Sequence, residues 1–262
     1  MKKIIFFDID GTLVTEDNLQ IIPQSTRNAI SQARKNGHIT VVNTGRTVFN
    51  ISDEIRSLGF DGYICGCGTY IEFNGEELLY NKLDREFCRM IADFMHACKA
   101  VPVFERRDCL FFDPLYSDNR AIVEFKNSFL DGSIPTDHLS TDDNFSFDKF
   151  VAFTDENTDI QKFREVVGKY FSIIDRGNGF YENVPIGFSK ATAIDILLKK
   201  LGIPIENAYA IGDSMNDLPM LQAVPNSIAM GNSKQVYPYV SFVTKPIMED
   251  GIEFALRHFE II

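Results

Sequence analysis

The chain has 262 residues, 45% of them hydrophobic and 24% charged, with a net charge of −11 and a pI of about 4.9. This is the composition of one large or two modest globular domains, and the acidic balance argues against a nucleic-acid backbone as partner. A small phosphorylated ligand is still compatible with it, because such a ligand needs only a local positive site.

The opening MKKIIFF begins like a signal peptide, but Asp8 ends the apolar run too early for one. No stretch reaches the length of a membrane span, so a cytoplasmic protein is expected. In chain order, KKIIFFD reads as a buried strand and residues 24–36 as a helix stopped by Gly37. HITVVN is a second strand, residues 47–59 a second helix closed by glycine, and GYICG a third strand. This alternation predicts a parallel sheet with crossover helices. TYIEFNGEELLYN then reads as a hairpin around Asn74-Gly75.

From about residue 82 the texture changes. A helix at 85–97 precedes the short aromatic runs VPVFE, CLFFD, FDKFVAFT, FSIID and GFYENV. Helices near 117–130 and 157–170 and a polar loop at 130–144 lie among them. Strands out of strict alternation with helices predict an antiparallel sheet with helices on one face. After VPIGFSK the first texture returns: a helix at 189–201 stopped by Gly202, the strand AYAIGD, a short helix at 216–224, the strands NSIAMG and VSFVT, and a last helix at 249–259. The expected fold is α/β, a Rossmann-like parallel-sheet core formed by residues 1–81 and 187–262, with an inserted α+β cap at 82–186.

Five scattered cysteines suggest no disulfide framework, and CGC at 65–67 has no second pair to complete a zinc site. The four histidines form no cluster. The chemistry therefore rests on strand and helix ends. Asp8 and Asp10 stand two apart where the first strand ends, so both can line the crevice at its carboxyl edge. Close carboxylates repel unless a divalent metal or a proton intervenes. Gly11 allows a sharp turn and Thr12 can hydrogen-bond it, although Asp-x-Asp-Gly alone also suits a solvated surface turn. Thr44, Gly45 and Arg46 follow the second strand, where a hydroxyl and exposed amides at a helix start suit an anion or a plain capped turn.

Lys190 in GFSKAT sits in a first helical turn, where a cation opposes the helix dipole unless a ligand phosphate shares the place. Asp213 ends the buried strand AYAIG as Asp8 ends the first, and with Asp8 it makes the oxygen-rich site that magnesium prefers. Asp217, beside Asn216, reads either as part of that site or as a favourable acid at a helix N-terminus.

DIDGTL (8–13), NTGR (43–46), SK (189–190), GDSMND (212–217), AMGN (229–232) and EDGI (249–252), in this order, resemble the haloacid dehalogenase-like (HAD) superfamily. Within it the match is to the Cof-type phosphatases with a type IIB cap. The resemblance covers nearly the whole chain; the cap aligns only by position and texture. It implies a phosphatase in which Asp8 is the nucleophile, forming an aspartyl-phosphate, and Asp10 the general acid and then base. It implies that Thr44, Gly45, Lys190 and Asn216 bind the phosphoryl group. Asp8, Asp213 and the Asp10 backbone carbonyl would ligate Mg²⁺, with Gly11, Thr12, Arg46 and Asp217 in supporting roles. The expected partner is a small phosphorylated metabolite, sugar phosphates foremost, with no nucleic acid, membrane or obligate protein partner.

Three positions depart from the pattern: Cys67-Gly68 stands where Asn-Gly is usual, Ala191 where glycine is usual, and Lys245-Pro246 where small polar residues are common. None removes a catalytic group; they leave open the shape of the rim and the substrate. A phosphomutase, or a specialised sugar-phosphate or nucleotide phosphatase, is the nearest alternative. A phospho-accepting signalling domain also uses an acidic pocket, a threonine and a lysine, but is about half as long and lacks a cap. A binding protein with a dead site is disfavoured by the full set of Asp8, Asp10, Thr44, Lys190 and Asp213.

Overall fold

The computed structural model describes residues 2–17, 19–127, 129 and 134–262. It divides into two compact units, one formed by residues 1–46, 51–79 and 188–262 and the other by 47–50 and 80–187.

The first unit opens with β1 (Ile4–Phe7), α1 (Gln24–Lys35), β2 (Ile39–Asn43), α2 (Asp53–Arg56), β3 (Gly62–Cys65), β4 (Tyr70–Phe73) and β5 (Glu76–Tyr80). The predicted helix at 47–59 is replaced by a 3₁₀ turn at Val48–Asn50 and the one-turn α2. Ser52 restarts the helix by accepting the Ile55 N–H on its hydroxyl. The apolar pattern in that stretch serves two cores. Phe49 packs in an apolar cluster of the second unit, while Ile55 is buried with the first.

The second unit contains α3 (Arg85–Cys98), β6 (Val101–Glu105), β7 (Leu110–Phe112), α4 (Arg120–Asn127), β8 (Lys149–Phe153), α5 (Ile160–Val167), β9 (Phe171–Asp175) and β10 (Phe180–Pro185). Its strands pair in the order β7-β6-β8-β10-β9, and every pairing is antiparallel. Alternate residues make both faces apolar, so helices cover both, not the one face expected. Phe104, Phe150, Ala152 and Tyr181 meet Ile91 and Met95 of α3 and Phe163 of α5. On the opposite face, Val101, Val103, Phe112 and Val151 meet Ile122 and Phe125 of α4. Residues 128 and 130 of the predicted helix near 117–130, and 130–133 of the polar loop, lie outside the described residues.

The chain then returns to the first unit with α6 (Lys190–Leu201), β11 (Ala208–Gly212), α7 (Leu218–Gln222), β12 (Asn226–Ala229), β13 (Phe242–Val243) and α8 (Gly251–His258). The eight strands run β13-β12-β11-β1-β2-β3-β4-β5. All neighbours from β13 to β3 are parallel, and β4 joins β3 antiparallel. Ile4 and Phe6 face a cluster with Ile194 and Leu197 of α6 and Met220 of α7. Ile5 and Phe7 point the other way and are also fully buried, so both faces of the central strand are covered. Among the described residues no helix is long and apolar enough to cross a membrane, and all five cysteines are buried.

Candidate active site

The register of β1 with its two neighbours assembles the site. Phe7 pairs with Ile211 on one side and Val42 on the other. Asp8, Asp213 and Thr44, just beyond these paired residues, therefore leave three adjacent strands at the same edge. β1 is flanked by β11 and β2, where chain connections depart in opposite directions, and open parallel sheets bind ligands at that place.

Asp8 is 6% exposed, and its N–H continues the pairing by donating to the Ile211 carbonyl at 3.0 Å. The Gly11 backbone has φ +77°, and a side-chain carbon there would lie 2.6 Å from the Asp213 carboxyl carbon. Glycine thus lets the loop after β1 close over Asp213. Thr12, fully buried, donates its hydroxyl to Asp213 Oδ1 at 3.3 Å.

Lys190 is the first residue of α6, whose N-terminus is fixed by a reciprocal capping box between Ser189 and Thr192. Its side chain is 2% exposed, and its ammonium donates to Asp8 Oδ1 at 2.6 Å and Asp217 Oδ1 at 2.5 Å. Asp217 stands at the N-cap position of α7, but its side chain makes no capping hydrogen bond to that helix. Its other oxygen accepts the N–H groups of Asp213 and Ser214, at 3.0 and 3.1 Å. It therefore ties the lysine to the loop that carries Asp213.

The balance of charge is unfavourable as it stands. Carboxylate oxygens of Asp8, Asp213 and Asp217 lie within 4.8 Å of one another, all buried, with one ammonium between them. Burial first, then the Asp217 carboxylate, push the Asp8 carboxyl up from 3.8 to about 7, against the pull of Lys190. Burial, Asp217 and Asp8 push Asp213 up to about 8. Burial works against the Lys190 ammonium, yet Asp217 and Asp8 outweigh it and hold its pKa above the ordinary lysine value. A cluster of hard oxygen donors short of positive charge fits a divalent cation of the magnesium type.

Asp10 is not part of that cluster. Its side chain is 50% exposed and meets the Arg46 guanidinium. Thr44 is buried, its carbonyl accepting the Cys67 N–H at 3.1 Å, while Gly45 and Asn216 are half-buried. Asn43 received no role from the sequence reading. Its side-chain amide donates to the Lys190 carbonyl at 3.0 Å, linking the end of β2 to the start of α6. A polar residue closing the apolar run TVV was the available signal.

The sequence model of the haloacid dehalogenase-like hydrolases matches residues 5–256. A Bacillus subtilis (strain 168) protein, YkrA, is 29% identical over 268 residues, covering 100% of this chain and 99% of the relative. The 5-amino-6-(5-phospho-D-ribitylamino)uracil phosphatase YcsE of the same organism is 27% identical over 261 residues, covering 98% of this chain and 95% of the relative. Among solved structures, the HAD subclass IIB sugar phosphatase BT4131 superposes with a TM-score of 0.80 at 29% identity, covering 100% of both chains. The chain belongs to the haloacid dehalogenase-like hydrolase family.

Proposed function

We propose that this HAD-family phosphatase hydrolyses small phosphorylated metabolites, sugar phosphates foremost, through an aspartyl-phosphate on Asp8, with Mg²⁺ as cofactor. The observation that carries the reading is the Asp8 carboxylate itself: buried at the end of the central strand, held by Lys190 and crowded by Asp213 and Asp217. The sugar-phosphate class is favoured by the full-length likeness to a sugar phosphatase.

In the first step an Asp8 carboxylate oxygen attacks phosphorus, the bond to the leaving oxygen breaks, and Asp10 gives that oxygen its proton. In the second, Asp10 takes a proton from water as the water oxygen attacks phosphorus. The bond to Asp8 breaks, phosphate leaves, and both carboxyl groups return to their starting state. The Thr44 hydroxyl, the Gly45 amide, the Lys190 ammonium and the Asn216 amide hold the phosphoryl oxygens and offset their developing charge. Asp8, Asp213 and the Asp10 backbone carbonyl would hold Mg²⁺, which when bound screens the carboxylates from the incoming phosphate. Substrate choice is assigned to the inserted cap, residues 82–186, and the working compartment to the cytoplasm.

The test is turnover of p-nitrophenyl phosphate with and without Mg²⁺. Chelation should abolish activity and added Mg²⁺ restore it, and Asp8→Asn should be inactive under all conditions. Undiminished turnover by Asp8→Asn overturns the mechanism.

A further inference from the structure

The pairing of Asp10 with Arg46 has a role beyond these steps, one that rests on the phosphatase reading of the site. Asp10 lies in the turn after β1, outside any helix or strand, joined there by a lone bridge to Val14. A half-exposed carboxylate on a short side chain would sample several rotamers unless something selected one. Arg46 does so. Its Nε donates to Asp10 Oδ2 at 3.0 Å and its Nη2 to Oδ1 at 2.5 Å, a fork-to-fork contact that fixes the plane of the carboxyl group.

The arginine is itself anchored. Its side chain is 14% exposed, its N–H donates to Thr44 Oγ1 at 3.1 Å, and its carbonyl accepts the Gly66 N–H at 2.8 Å. One residue therefore joins the turn that carries Thr44 to the carboxyl group of Asp10. The fork takes one lone pair on each carboxylate oxygen and leaves a second for proton transfer. The bond to Thr44 Oγ1 likewise occupies an acceptor site of that hydroxyl and leaves its hydrogen to point at a phosphoryl oxygen.

We infer that Arg46 is the positioning residue of the acid/base carboxyl group: it acts through Asp10 and not as a ligand of the substrate phosphate. The two roles separate by leaving group. A misaligned general acid harms esters of basic leaving groups most, whereas a lost phosphate ligand harms all esters alike. The experiment measures kcat/KM for wild type, Arg46→Ala, Arg46→Lys, Asp10→Asn and the Asp10→Asn/Arg46→Ala pair. The substrates are a series of aryl phosphates of graded leaving-group basicity, with saturating Mg²⁺.

Arg46→Ala should lose less than about tenfold on the p-nitrophenyl ester and roughly a hundredfold on the phenyl ester. Arg46→Lys, which keeps the charge but cannot form the fork, should follow alanine rather than wild type. In the Asp10→Asn background the arginine substitution should cost less than about twofold. Parallel losses on every ester, restoration by lysine, or additive effects in the double variant overturn the inference and leave the phosphatase reading intact. A wild type inert on the whole series overturns that reading and this inference with it.

Discussion

Buried carboxylates outnumber their cations around Asp8, and that imbalance has a consequence for stability. Asp8 and Asp213 titrate near 7 and 8 in the folded chain, above the 3.8 of an exposed aspartate. Groups with raised folded values bind protons more tightly than in the unfolded chain. The stability they contribute is complete below the unfolded value and is lost as pH rises through the folded ones. The melting temperature of the metal-free protein should therefore fall from about pH 4 to about pH 8, and saturating Mg²⁺ should flatten the fall. A metal-free melting temperature independent of pH over that range would contradict the charge balance described. Asp8, Thr44, Lys190 and Asp213 were legible in the sequence because each ends a strand or opens a helix. The Asp10–Arg46 contact and the Asn43 bond to the Lys190 carbonyl were not. They join residues 36 and 147 positions apart, and no local pattern encodes such a meeting.

Strands and long helices were readable because each carries one apolar period into one core. The stretch at 47–59 failed because Phe49 and Ile55 serve different cores, so a single period fitted a helix that Ser52 in fact restarts. The helices of the inserted unit fall where the sequence expects them, but they cover both faces of their sheet and not one, for a related reason. Short strands such as VPVFE are apolar on both faces and do not say which face a helix will cover. The turn after β3 is where an element and the site meet most closely. Gly68 has φ +94°, and a side-chain carbon there would lie 2.5 Å from the Ser189 carbonyl oxygen, at the cap of the helix that presents Lys190. Gly68→Ala should cost more than about 1 kcal/mol of stability, because the backbone is strained and α6 must shift as well. With Lys190 displaced, kcat should fall at least about tenfold. Wild-type turnover in a folded Gly68→Ala protein would show that the approach of the two elements does not position the lysine.

At the scale of the molecule, the first unit is assembled from three chain segments, and the second unit carries its own polar interior. Glu182 on β10 is 3% exposed and accepts from Lys149 Nζ at 2.6 Å and Arg176 Nε at 3.1 Å, with Glu105 3.3 Å from the same lysine. Burial raises the Glu182 carboxyl, but Lys149 and Arg176 outweigh it and hold it at about 2. Its contribution to stability is thus present above 4.5, the ordinary value, and is lost as pH falls through about 2. Glu182→Ala strips the lysine and arginine of their shared partner. It should lower the unfolding free energy by about 3 to 5 kcal/mol in denaturant titrations at neutral pH. A loss below about 1 kcal/mol would mean that the remaining groups re-pair without it. The central claim, a phosphoryl group carried on Asp8, is tested most directly by acid quench of Asp10→Asn during turnover of p-nitrophenyl phosphate with Mg²⁺, followed by peptide mass spectrometry. The account predicts a phosphorylated peptide with the modification on Asp8. Turnover without any phosphoenzyme, or a phosphoryl group on another residue, would contradict it.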